Sequence, residues 1–527
     1  MKECNGPYTK TTPELFQDYP FELSDFQKWA IYAITQNNDC LVCAPTGSGK
    51  TLPAEFAIKW AHKKNKKVIY TTPIKALSNE KFYSFQKKYP DISFGLLTGD
   101  NKFNPEADVL IMTTEILLNT LKQMKSIDTG LIEEKNTDLY FKMDVNNELG
   151  FVVFDEIHYI NDKDRGKVWE QSIMFLPKHV AYIGLSATIN KPETLCKWSE
   201  SEYGPNRKEM YLCVSNHRVV PLQHYGYLTL PDSNFDKMKI EDRDKFQMLA
   251  NKPINLKNKN EPFDENTYHK ISKAFKYLSN NKIYVKHNFV YNNILKYLYR
   301  QNLLPALTFI FSRKQCYVWA KSVSISLFEE GSKIPSIIKK KATQILISKL
   351  DNWKEYTELK EFTEIVRLLE KGIAVHHSGV TPVFREMIEL LYGEGYIKLL
   401  IATETFAVGI NMPTRSVIFT SLQKFDGHKF RFLMAHEYSQ MAGRAGRRGI
   451  DTKGHIFHLL NIFNSKNAVP PSSVYRNILS GVPQTIISKF DIDFQLILSQ
   501  LFVGNNNFSE FVNTSMLENA PLLTTIP

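Results

Sequence analysis

A glycine-rich stretch, APTGSGKT from Ala44 to Thr51, has the residue types and spacing of a phosphate-binding loop. It follows the apolar run 39–44 and precedes a helical pattern that begins at Leu52. A strand, a glycine turn and a helix start direct several backbone N–H groups at one point, which favours an anion there. Lys50 would then reach the β- and γ-phosphates of a nucleotide, and the Thr51 hydroxyl would hold Mg²⁺. Ala44 replaces the usual first glycine, and a chance glycine turn is the alternative for this string alone.

Two adjacent carboxylates, Asp155 and Glu156, follow a second apolar run, FVVF at 151–154. A strand that ends in two carboxylates near a phosphate loop could serve the hydrolysis of a bound nucleotide. Asp155 can hold Mg²⁺ through its water shell, and Glu156 can polarise the water that attacks a γ-phosphate. After the predicted strand 181–183, Ser186 and Thr188 could couple this pair to neighbouring elements. The alternative, an acidic loop at a strand end, is weak once Lys50 and Thr51 are present.

Small hydroxyl groups stand at further predicted strand ends. Thr72 ends the strand 67–72, Thr98 lies in a Thr-Gly-Asp turn, and Thr114 follows the strand 109–112. With Lys75 nearby, such groups can hydrogen-bond a phosphodiester backbone without reading its sequence. Each alone is equally a loop cap, but three at successive strand ends predict one continuous track.

A second α/β pattern begins with a helix near Ile294, and its predicted strands 306–311, 373–375 and 398–401 also end in hydroxyls and bases. The residues FDGH at 425–428 predict a hairpin turn between aromatic and basic neighbours. Arg444 and Arg447 are three apart and lie on one face if this stretch is helical. Guanidinium groups make permanent, bidentate phosphate contacts. A basic face for nucleic acid is the alternative interpretation of the two arginines.

Length and composition narrow the class of protein. A chain of 527 residues predicts two to four domains, and 43% hydrophobic with 23% charged residues is typical of soluble globular proteins. A net charge of +11 and a pI near 9.0 fit a polyanionic partner such as nucleic acid, although a merely basic surface is the alternative. There is no run of roughly 18 apolar residues and no apolar signal region at the N-terminus, so we expect an intracellular protein without a membrane span.

The six cysteines form no paired framework. Cys40 and Cys43 make a C-x-x-C, but they lie on the strand before the phosphate loop, where positions three apart point to opposite faces. We therefore predict buried thiols rather than a metal or redox pair.

Strands alternating with helices up to residue 190 predict a doubly wound α/β domain whose strand ends carry the chemistry. A capped amphipathic helix before the phosphate loop contains Gln27, whose amide suits an adenine edge but is equally a surface helix residue. The polar segment 128–147 predicts a surface insertion, and the Lys- and Asn-rich segment 229–283 predicts a linker that is disordered or weakly folded.

Taken in order, these motifs resemble the superfamily 2 DExH-box helicases, and within them the superkiller- and exosome-associated RNA helicases. The motifs of the first half are DFQ at 25–27, APTGSGKT at 44–51, TTPIKALSN at 71–79, TTEIL at 113–117, DEIHYINDKDRG at 155–166 and SAT at 186–188. Those of the second half are FSRKQC at 311–316, AVHHSG at 374–379, ATETFAVGINMP at 402–413, KFDGHKF at 424–430 and QMAGRAGRRG at 440–449.

The resemblance implies two tandem RecA-like domains of the P-loop NTPase class, each a doubly wound parallel sheet, with ATP and Mg²⁺ in their cleft. The expected domains are 1–228, 284–460 and a short, partly winged-helix-like region 461–527, with 229–283 as linker. ATP contacts are implied for Gln27, Ala44, Pro45, Thr46, Gly47, Ser48, Gly49, Lys50, Thr51, Gly409 and Asn411. Thr51 and Asp155 would bind the metal, and His158, Ser186 and Thr188 would couple the site to its surroundings. Glu156 would be the base, Gln440 would place the attacking water, and Arg444 and Arg447 would be arginine fingers.

Single-stranded RNA would cross the top of both domains. RNA contacts are implied for Thr72, Pro73, Lys75, Thr98, Gly99, Thr114, Glu115, Ser312, Arg313, His377, Ser378 and Thr405. The implied function is an ATP-dependent RNA helicase that moves 3′ to 5′ on single strands. A DNA helicase of the same superfamily and a slow, nucleotide-gated RNA clamp are the alternatives.

The resemblance also implies a monomer in the cytoplasm or nucleus, acting on single-stranded RNA or a tailed duplex, with an RNA-processing or decay complex as partner. Known members continue into a winged helix, a ratchet bundle and sometimes an arch. Here the segment 488–498 resembles only the start of that region, so we expect ATPase activity without the ratchet and arch.

Overall fold

The computed structural model describes residues 1–99, 101–128, 141, 143–201, 204–205, 207–236, 238–258, 261–407, 414–465, 469–502 and 507–518. The chain forms two compact units. Unit 1 comprises Met1–Arg218 and Pro483–Pro527, and unit 2 comprises Val219–Val482. The chain therefore begins in unit 1, builds unit 2 and returns to unit 1, a division that differs from the domain boundaries expected from the sequence.

Unit 1 is built on a mainly parallel sheet. Its strands are β1 (Lys2–Cys4), β2 (Asp39–Cys43), β3 (Lys67–Thr72), β4 (Phe94–Thr98), β5 (Asn101–Phe103), β6 (Val109–Thr113), β7 (Leu149–Asp155), β8 (Ala181–Ser186) and β9 (Met210–Val214). The order is β1-β9-β2-β8-β7-β3-β6-β4-β5, and each described pair is parallel except β4 with β5. The carboxyl ends of β2, β8 and β7 therefore meet at one edge of the sheet.

Helices cover both faces of this sheet. They are α1 (Asp25–Thr35), α2 (Leu52–Lys63), α3 (Lys75–Lys88), α4 (Thr114–Asp128), α5 (Gly166–Phe175) and α6 (Glu193–Glu200). Strand β2 is buried along its whole length, as expected for a central parallel strand. Cys40 packs in the core on one face and Cys43 in the core on the other, and burial raises the pKa of Cys43 to about 12. The prediction of two buried thiols on opposite faces is confirmed.

Unit 2 has a second, mainly parallel sheet and a separate hairpin. Its strands are β10 (Leu222–Tyr227), β11 (Pro253–Lys257), β12 (Ala306–Phe309), β13 (Ile373–His376), β14 (Leu399–Ala402), β15 (Ser416–Phe419), β16 (Gln423–Phe425), β17 (Phe430–Phe432) and β18 (Gly454–Leu459). The sheet order is β11-β10-β18-β15-β12-β14-β13, with β11 antiparallel to β10. Strands β16 and β17 pair only with each other among the described residues.

The helices of unit 2 surround its sheet. They are α7 (Asp232–Phe235), α8 (Ile240–Leu249), α9 (Glu265–Asn280), α10 (His287–Arg300), α11 (Arg313–Ser322), α12 (Ile334–Lys349), α13 (Trp353–Glu358), α14 (Lys360–Leu369), α15 (Pro382–Gly393), α16 (Ala435–Ala442), α17 (Leu460–Ser465) and α18 (Ser472–Ser480). The predicted pair of α/β units with parallel sheets is confirmed.

The structure corrects the interpretation of 229–283 as a disordered or weakly folded linker. This segment supplies β11, an edge strand of the second sheet, and the long helix α9. Ile271, Phe275 and Leu278 form a buried stripe on α9 at helical spacing, so the many Lys and Asn residues occupy only its outer face. Asp264 caps this helix by accepting a hydrogen bond from the Thr267 N–H at 2.9 Å. The segment is therefore part of the core of unit 2.

The two other segments singled out from the sequence contribute to unit 1. Most of the predicted insertion, residues 129–140 and 142, lies outside the described residues, but Phe141 is buried in the core of unit 1. From residue 483 the chain packs on unit 1 and forms α19 (Phe494–Phe502) and α20 (Phe508–Asn513). Among the described residues, no helix is both long and apolar enough to cross a membrane.

Candidate active site

The phosphate loop connects β2 to α2 as the sequence predicts. Gly47 and Gly49 have φ values of +84° and +87°, which only glycine adopts without strain, so both glycines are needed for the shape of the loop. The Ala44 N–H donates to the Ser186 carbonyl at 3.1 Å, and the Ser48 hydroxyl donates to the Pro45 carbonyl at 2.7 Å. The loop is thus fixed to the neighbouring strand β8.

Lys50 and Glu156 meet beside this loop. The Lys50 Nζ lies 2.7 Å from Glu156 Oε2, and His158 Nδ1 lies 3.4 Å from the same oxygen. His158 Nδ1 is also 3.3 Å from the Ser186 hydroxyl, while Thr188 follows two residues after β8. The predicted grouping of Lys50, Glu156, His158 and Ser186 is therefore present within unit 1.

Glu156 has an unusual backbone conformation. Its φ of +57° and ψ of +45° place it in the left-handed region, which costs a residue with a side chain roughly 1–2 kcal/mol. The turn ends β7 and begins the 3₁₀ turn Ile157–Asn161. Such strain persists where surrounding contacts hold it, and it is concentrated at functional sites.

Asp155, the other member of the pair, is almost fully buried and is held by two hydrogen-bond donors and one ion pair. The Tyr70 hydroxyl donates to Asp155 Oδ2 at 2.7 Å, and the Glu156 N–H donates to Oδ1 at 3.0 Å. Lys81 Nζ lies 3.8 Å from Oδ2. Burial alone would lower the pKa of Lys81, but the negative charges of Asp155 and of Glu80, Glu156 and Glu55 together outweigh this and raise the pKa. Neither Tyr70 nor Lys81 could be recognised from the sequence, because both lie on elements remote from Asp155 in the chain.

A divalent cation fits the residues present here. A threonine hydroxyl at position 51 and the carboxylate of Asp155 are hard oxygen ligands, which Mg²⁺ prefers. Among the described residues, no group of three or more His, Cys, Asp or Glu side chains could hold a metal. Two protein ligands suit Mg²⁺ in nucleotide sites, because phosphates and water complete its shell.

Gln27 is buried and has protein partners on both sides of its amide. Its Oε1 accepts from the Ser24 N–H at 2.9 Å, completing the capping box of α1, and its Nε2 donates to the Gly49 carbonyl at 3.0 Å. The structure thus shows a link between α1 and the phosphate loop, and the contact with adenine stays a prediction. Arg218 provides another link that the sequence did not indicate, donating to the Thr46 carbonyl at 2.7 Å.

The predicted polar track of unit 1 follows adjacent parallel strands. Strands β3, β6 and β4 are neighbours, so Thr72, Thr114 and Thr98 stand at one edge of the sheet. Exposed Lys75 lies near exposed Gly99, since a Cβ added at Gly99 would be 3.4 Å from Lys75 Nζ. These two residues are the accessible part of the track.

The other predicted contacts on this track are less available. The side chains of Thr72 and Thr114 are fully buried, and the Thr72 hydroxyl is hydrogen-bonded to Ser78 at 2.7 Å. Pro73 is also buried, and Glu115 is bound by Arg165. The Thr72 hydroxyl is thus engaged inside unit 1, whereas the buried Thr114 hydroxyl has no hydrogen-bond partner among the described residues, and the contact of either residue with RNA stays a prediction.

A matching edge occurs in unit 2, where β12, β14 and β13 are parallel neighbours. Ser312 caps α11, and Arg313 follows it exposed. A Cβ added at Gly379 would lie 3.4 Å from Arg313 Cδ and 3.2 Å from His377 Nδ1, so these residues cluster next to exposed Ser378. Burial first, and then the charge of Arg313, lower the pKa of His377. The side chain of Thr405 and residues Gly409 and Asn411 lie outside the described residues.

Helix α16 carries Gln440 but ends before the arginines. It stops at Ala442, and Gly446 with φ +86° is incompatible with a helix. The interpretation that Arg444 and Arg447 share a helical face is therefore wrong. The loop that follows α16, residues 443–449 and hereafter the arginine loop, is instead tied to the segment just before β15. Thr414 N–H donates to the Arg444 carbonyl at 2.9 Å, and Gly446 N–H donates to the Thr414 carbonyl at 2.7 Å.

Arg447 makes a bidentate ion pair with Asp451. Its Nε lies 2.7 Å from Oδ2 and its NH2 lies 2.9 Å from Oδ1. The hydrogen bond to Asp451 raises the pKa of Arg447. The guanidinium is therefore held in a fixed orientation within unit 2.

The predicted hairpin is present as β16 and β17, closed by a turn at 426–429. Asp426 Oδ1 accepts from the N–H groups of His428 and Lys429, and Gly427 has φ +100°. Glu437 of α16 binds both strands through Lys424 and Arg431. No local pattern predicted the role of Glu437, because a capping box needs Ser or Thr at the N-cap and the N-cap of α16 is Met434.

Comparison with known families agrees with this geometry. A model described as DEAD/DEAH box helicase matches residues 24–195, and one described as helicase conserved C-terminal domain matches residues 330–449. The first match contains the phosphate loop with Asp155 and Glu156, and the second contains the arginine loop. The chain therefore contains both helicase domains, and it is similar to superkiller-type DExH-box RNA helicases.

Several curated helicases are similar to this chain. The antiviral helicase SKI2 of Saccharomyces cerevisiae is 34% identical, over 97% of this chain and 40% of that protein. The exosome RNA helicase MTR4 of Homo sapiens is 34% identical, over 93% of this chain and 43% of that protein. The DExH-box ATP-dependent RNA helicase DExH9 of Arabidopsis thaliana is 33% identical, over 92% of this chain and 45% of that protein. The chain thus spans less than half the length of these relatives.

Proposed function

We propose that this chain is an ATP-dependent RNA helicase that hydrolyses ATP to move 3′ to 5′ on single-stranded RNA and unwind duplexes. The observation that supports this most directly is the cluster of Lys50, Asp155 and Glu156 at the carboxyl ends of β2 and β7. The proposal also rests on the family of the chain and on the names of its relatives as RNA helicases.

In the proposed reaction, Lys50 stabilises negative charge on the β- and γ-phosphates, and the loop N–H groups bind their oxygens. Glu156 accepts a proton from the attacking water, and His158 with Ser186 orients its carboxylate. Thr51 and Asp155 would hold Mg²⁺, which neutralises charge on the phosphates when bound. Tyr70 and Lys81 keep Asp155 in place, and burial raises the pKa of Tyr70 so that it remains a hydrogen-bond donor.

Gln440 of α16 and the arginine loop that follows the helix form a second part of the proposal. Gln440 places the attacking water, and Arg444 and Arg447 stabilise charge on the transferred phosphoryl group. Arginine fingers are worth roughly 10³ to 10⁵ in rate in other nucleotide hydrolases. Gln27, Gly409 and Asn411 are the further proposed ATP contacts.

RNA would be bound through its backbone at the polar strand ends of each unit. Lys75 with Gly99, and Arg313 with Ser378, are the accessible groups that support this contact, and buried His377 lies beside the second pair. Backbone contacts predict weak sequence preference and strong salt dependence. We further propose a monomer in the cytoplasm or nucleus that serves an RNA-processing or decay complex.

The decisive experiment measures ATP turnover with matched RNA and DNA oligonucleotides, using Lys50→Ala as the inactive control. We expect stimulation by RNA and unwinding of a duplex with a 3′ tail but not one with a 5′ tail. Equal or greater stimulation by DNA would favour a DNA helicase. No stimulation by saturating RNA would overturn the proposal and favour a slow nucleotide-gated clamp.

A further inference from the structure

One carboxylate joins the β16–β17 hairpin to helix α16. Glu437 Oε1 lies 2.7 Å from Lys424 Nζ on β16 and 2.8 Å from Arg431 NH2 on β17. Its Oε2 accepts from Arg431 NH1 at 2.8 Å and from the Met434 N–H at 2.9 Å. Both strands of the hairpin and the first turn of the helix therefore converge on one side chain.

The contacts of Glu437 with the hairpin are charge-assisted hydrogen bonds. Arg431 binds Glu437 with two parallel hydrogen bonds, the geometry that gives an arginine–carboxylate pair its directional strength. Burial would raise the pKa of Glu437, but the hydrogen bonds from Arg431 and Lys424 outweigh it and lower the pKa to about 2. The carboxylate is therefore charged across the physiological range.

The far end of the hairpin is suited to unpaired bases. Phe425 and Phe430 are 52% and 73% exposed, and their ring centroids are 5.5 Å apart. Exposed Lys429 lies beside them in the turn. Exposed aromatic rings with an adjacent cation are the combination on which nucleic-acid bases stack, at roughly 1–3 kcal/mol per base.

Helix α16 connects Glu437 to Gln440 and to the arginine loop. Gln440 follows Glu437 by three residues on α16, so both lie on the same side of the helix. The arginine loop begins directly after the helix, with Arg444. A movement of the hairpin held by Glu437 would thus be carried to Gln440 through less than one turn of helix.

We propose that Glu437 is a positioning residue that transmits base binding on the Phe425–Phe430 hairpin to Gln440 and Arg444. This inference rests on the proposed function, because it concerns how RNA accelerates ATP hydrolysis. Phe425 and Phe430 bind bases, and Glu437 holds the hairpin in register with α16. RNA stacked on the hairpin then favours one placement of Gln440.

The test compares Glu437→Gln with wild type by the ratio of RNA-stimulated to basal ATP turnover. We expect this ratio to fall by roughly 5-fold or more, since a typical coupling between sites is worth roughly 5- to 150-fold. Glu386→Gln is the matched control, because Glu386 pairs with Lys349 at 2.6 Å in the same unit away from the hairpin. The control should keep the wild-type ratio.

A second measurement separates positioning from a general structural role. In a Phe425→Ala/Phe430→Ala background, Glu437→Gln should have little further effect, since the two changes then remove the same pathway. A purely structural role would give additive losses and a lower melting temperature. If Glu437→Gln does not fold, Arg431→Lys, which keeps the charge but loses the bidentate contact, replaces it in the same comparison.

The outcomes distinguish a failure of the proposed helicase function from a failure of the proposed role of Glu437. If RNA stimulates neither wild type nor variant, the proposed function fails. If wild type is stimulated and Glu437→Gln matches Glu386→Gln, the inference fails while the proposed function stands. Additive losses in the phenylalanine background would also overturn the inference.

Discussion

Lys50 Nζ and Glu156 Oε2 form an ion pair of 2.7 Å within unit 1. The cation proposed to bind phosphate is thus bound to the carboxylate proposed to activate water. A bound nucleotide must compete with Glu156 for Lys50, and its binding would release the carboxylate for its role as base. Charge-assisted pairs of this kind are stronger where solvent is partly excluded, and these side chains are only 12% and 19% exposed.

Replacing Glu156 by Gln should lower the rate of ATP hydrolysis by about 10²-fold or more, because a general base is lost. The variant should still bind ATP, and about as tightly or a few-fold more tightly, because an ion pair that competes for Lys50 is removed. Turnover and the dissociation constant of a non-hydrolysable ATP analogue are the measurements. Glu22→Gln is the control, since Glu22 is 89% exposed and lies on the surface. Full turnover in Glu156→Gln would contradict the assigned role.

The bidentate pair of Arg447 with Asp451 allows catalysis and stability to be separated. Arg447→Ala should lose turnover by roughly 10³-fold or more if it is an arginine finger. Asp451→Asn should keep most turnover, because the guanidinium remains, and should lower the melting temperature since a half-buried ion pair is broken. Comparable losses of turnover in both variants would instead make Arg447 a structural residue. ATPase assays and thermal melts of both variants decide this.

Two glycines of the arginine loop should differ in their tolerance of alanine. Both have positive φ, +86° at Gly446 and +76° at Gly449. A Cβ at Gly446 would lie 2.4 Å from Val220 Cγ1, whereas none of the described atoms lies within 4 Å of one at Gly449. We expect Gly449→Ala to cost about 1–2 kcal/mol of unfolding free energy and Gly446→Ala about 1–3 kcal/mol more. Chemical denaturation measures the unfolding free energy of both variants, and hydrogen exchange of the β18 amides reports the local effect. Equal losses of unfolding free energy in the two variants would contradict the contact with Val220.

Glu170 should make the stability of unit 1 depend on pH. Burial raises its pKa from 4.5 to about 7, although hydrogen bonds from Ser488 and the Met516 N–H oppose the shift. Between these two values the folded chain keeps a proton that the unfolded chain loses. The stabilisation is therefore complete below about pH 4.5 and is lost as the pH rises to about 7.

The change Glu170→Gln should remove this dependence and stabilise unit 1 above pH 7. Each pKa unit is worth about 1.4 kcal/mol, so the gain is on the order of 3 kcal/mol. Melting temperatures of wild type, Glu170→Gln and the exposed control Glu22→Gln, measured from pH 5 to 8, test this. Parallel curves for all three proteins would show that Glu170 is ionised in the folded state throughout.

The sequence predicted the parts of the fold that depend on local patterns. Buried strands were recognised as apolar runs that end in polar groups, and the phosphate loop was recognised from its glycines and Lys50. The parallel sheets then bring the strand ends to one edge, which is why Lys50 and Glu156 could be placed together although they are 106 residues apart.

The remaining features depend on contacts that no local pattern contains. The amphipathic stripe of α9 was hidden by its Lys- and Asn-rich outer face. The burial of the Thr72 and Thr114 hydroxyls follows from the helices packed against the strand ends. Gln27 is predicted to contact adenine, and the local sequence did not reveal that its amide also completes a helix cap and contacts the phosphate loop.

The return of the chain to unit 1 after residue 482 has a consequence for synthesis. Ile486 and Met516 complete an apolar core that is otherwise built from residues 41–212, and Trp198 Nε1 donates to the Thr514 carbonyl at 2.9 Å. During translation, the ribosome makes all of unit 2 before these residues emerge. Unit 2 can therefore complete its folding while unit 1 still lacks the residues after 482. Unit 1 is thus translated first but completes its core last.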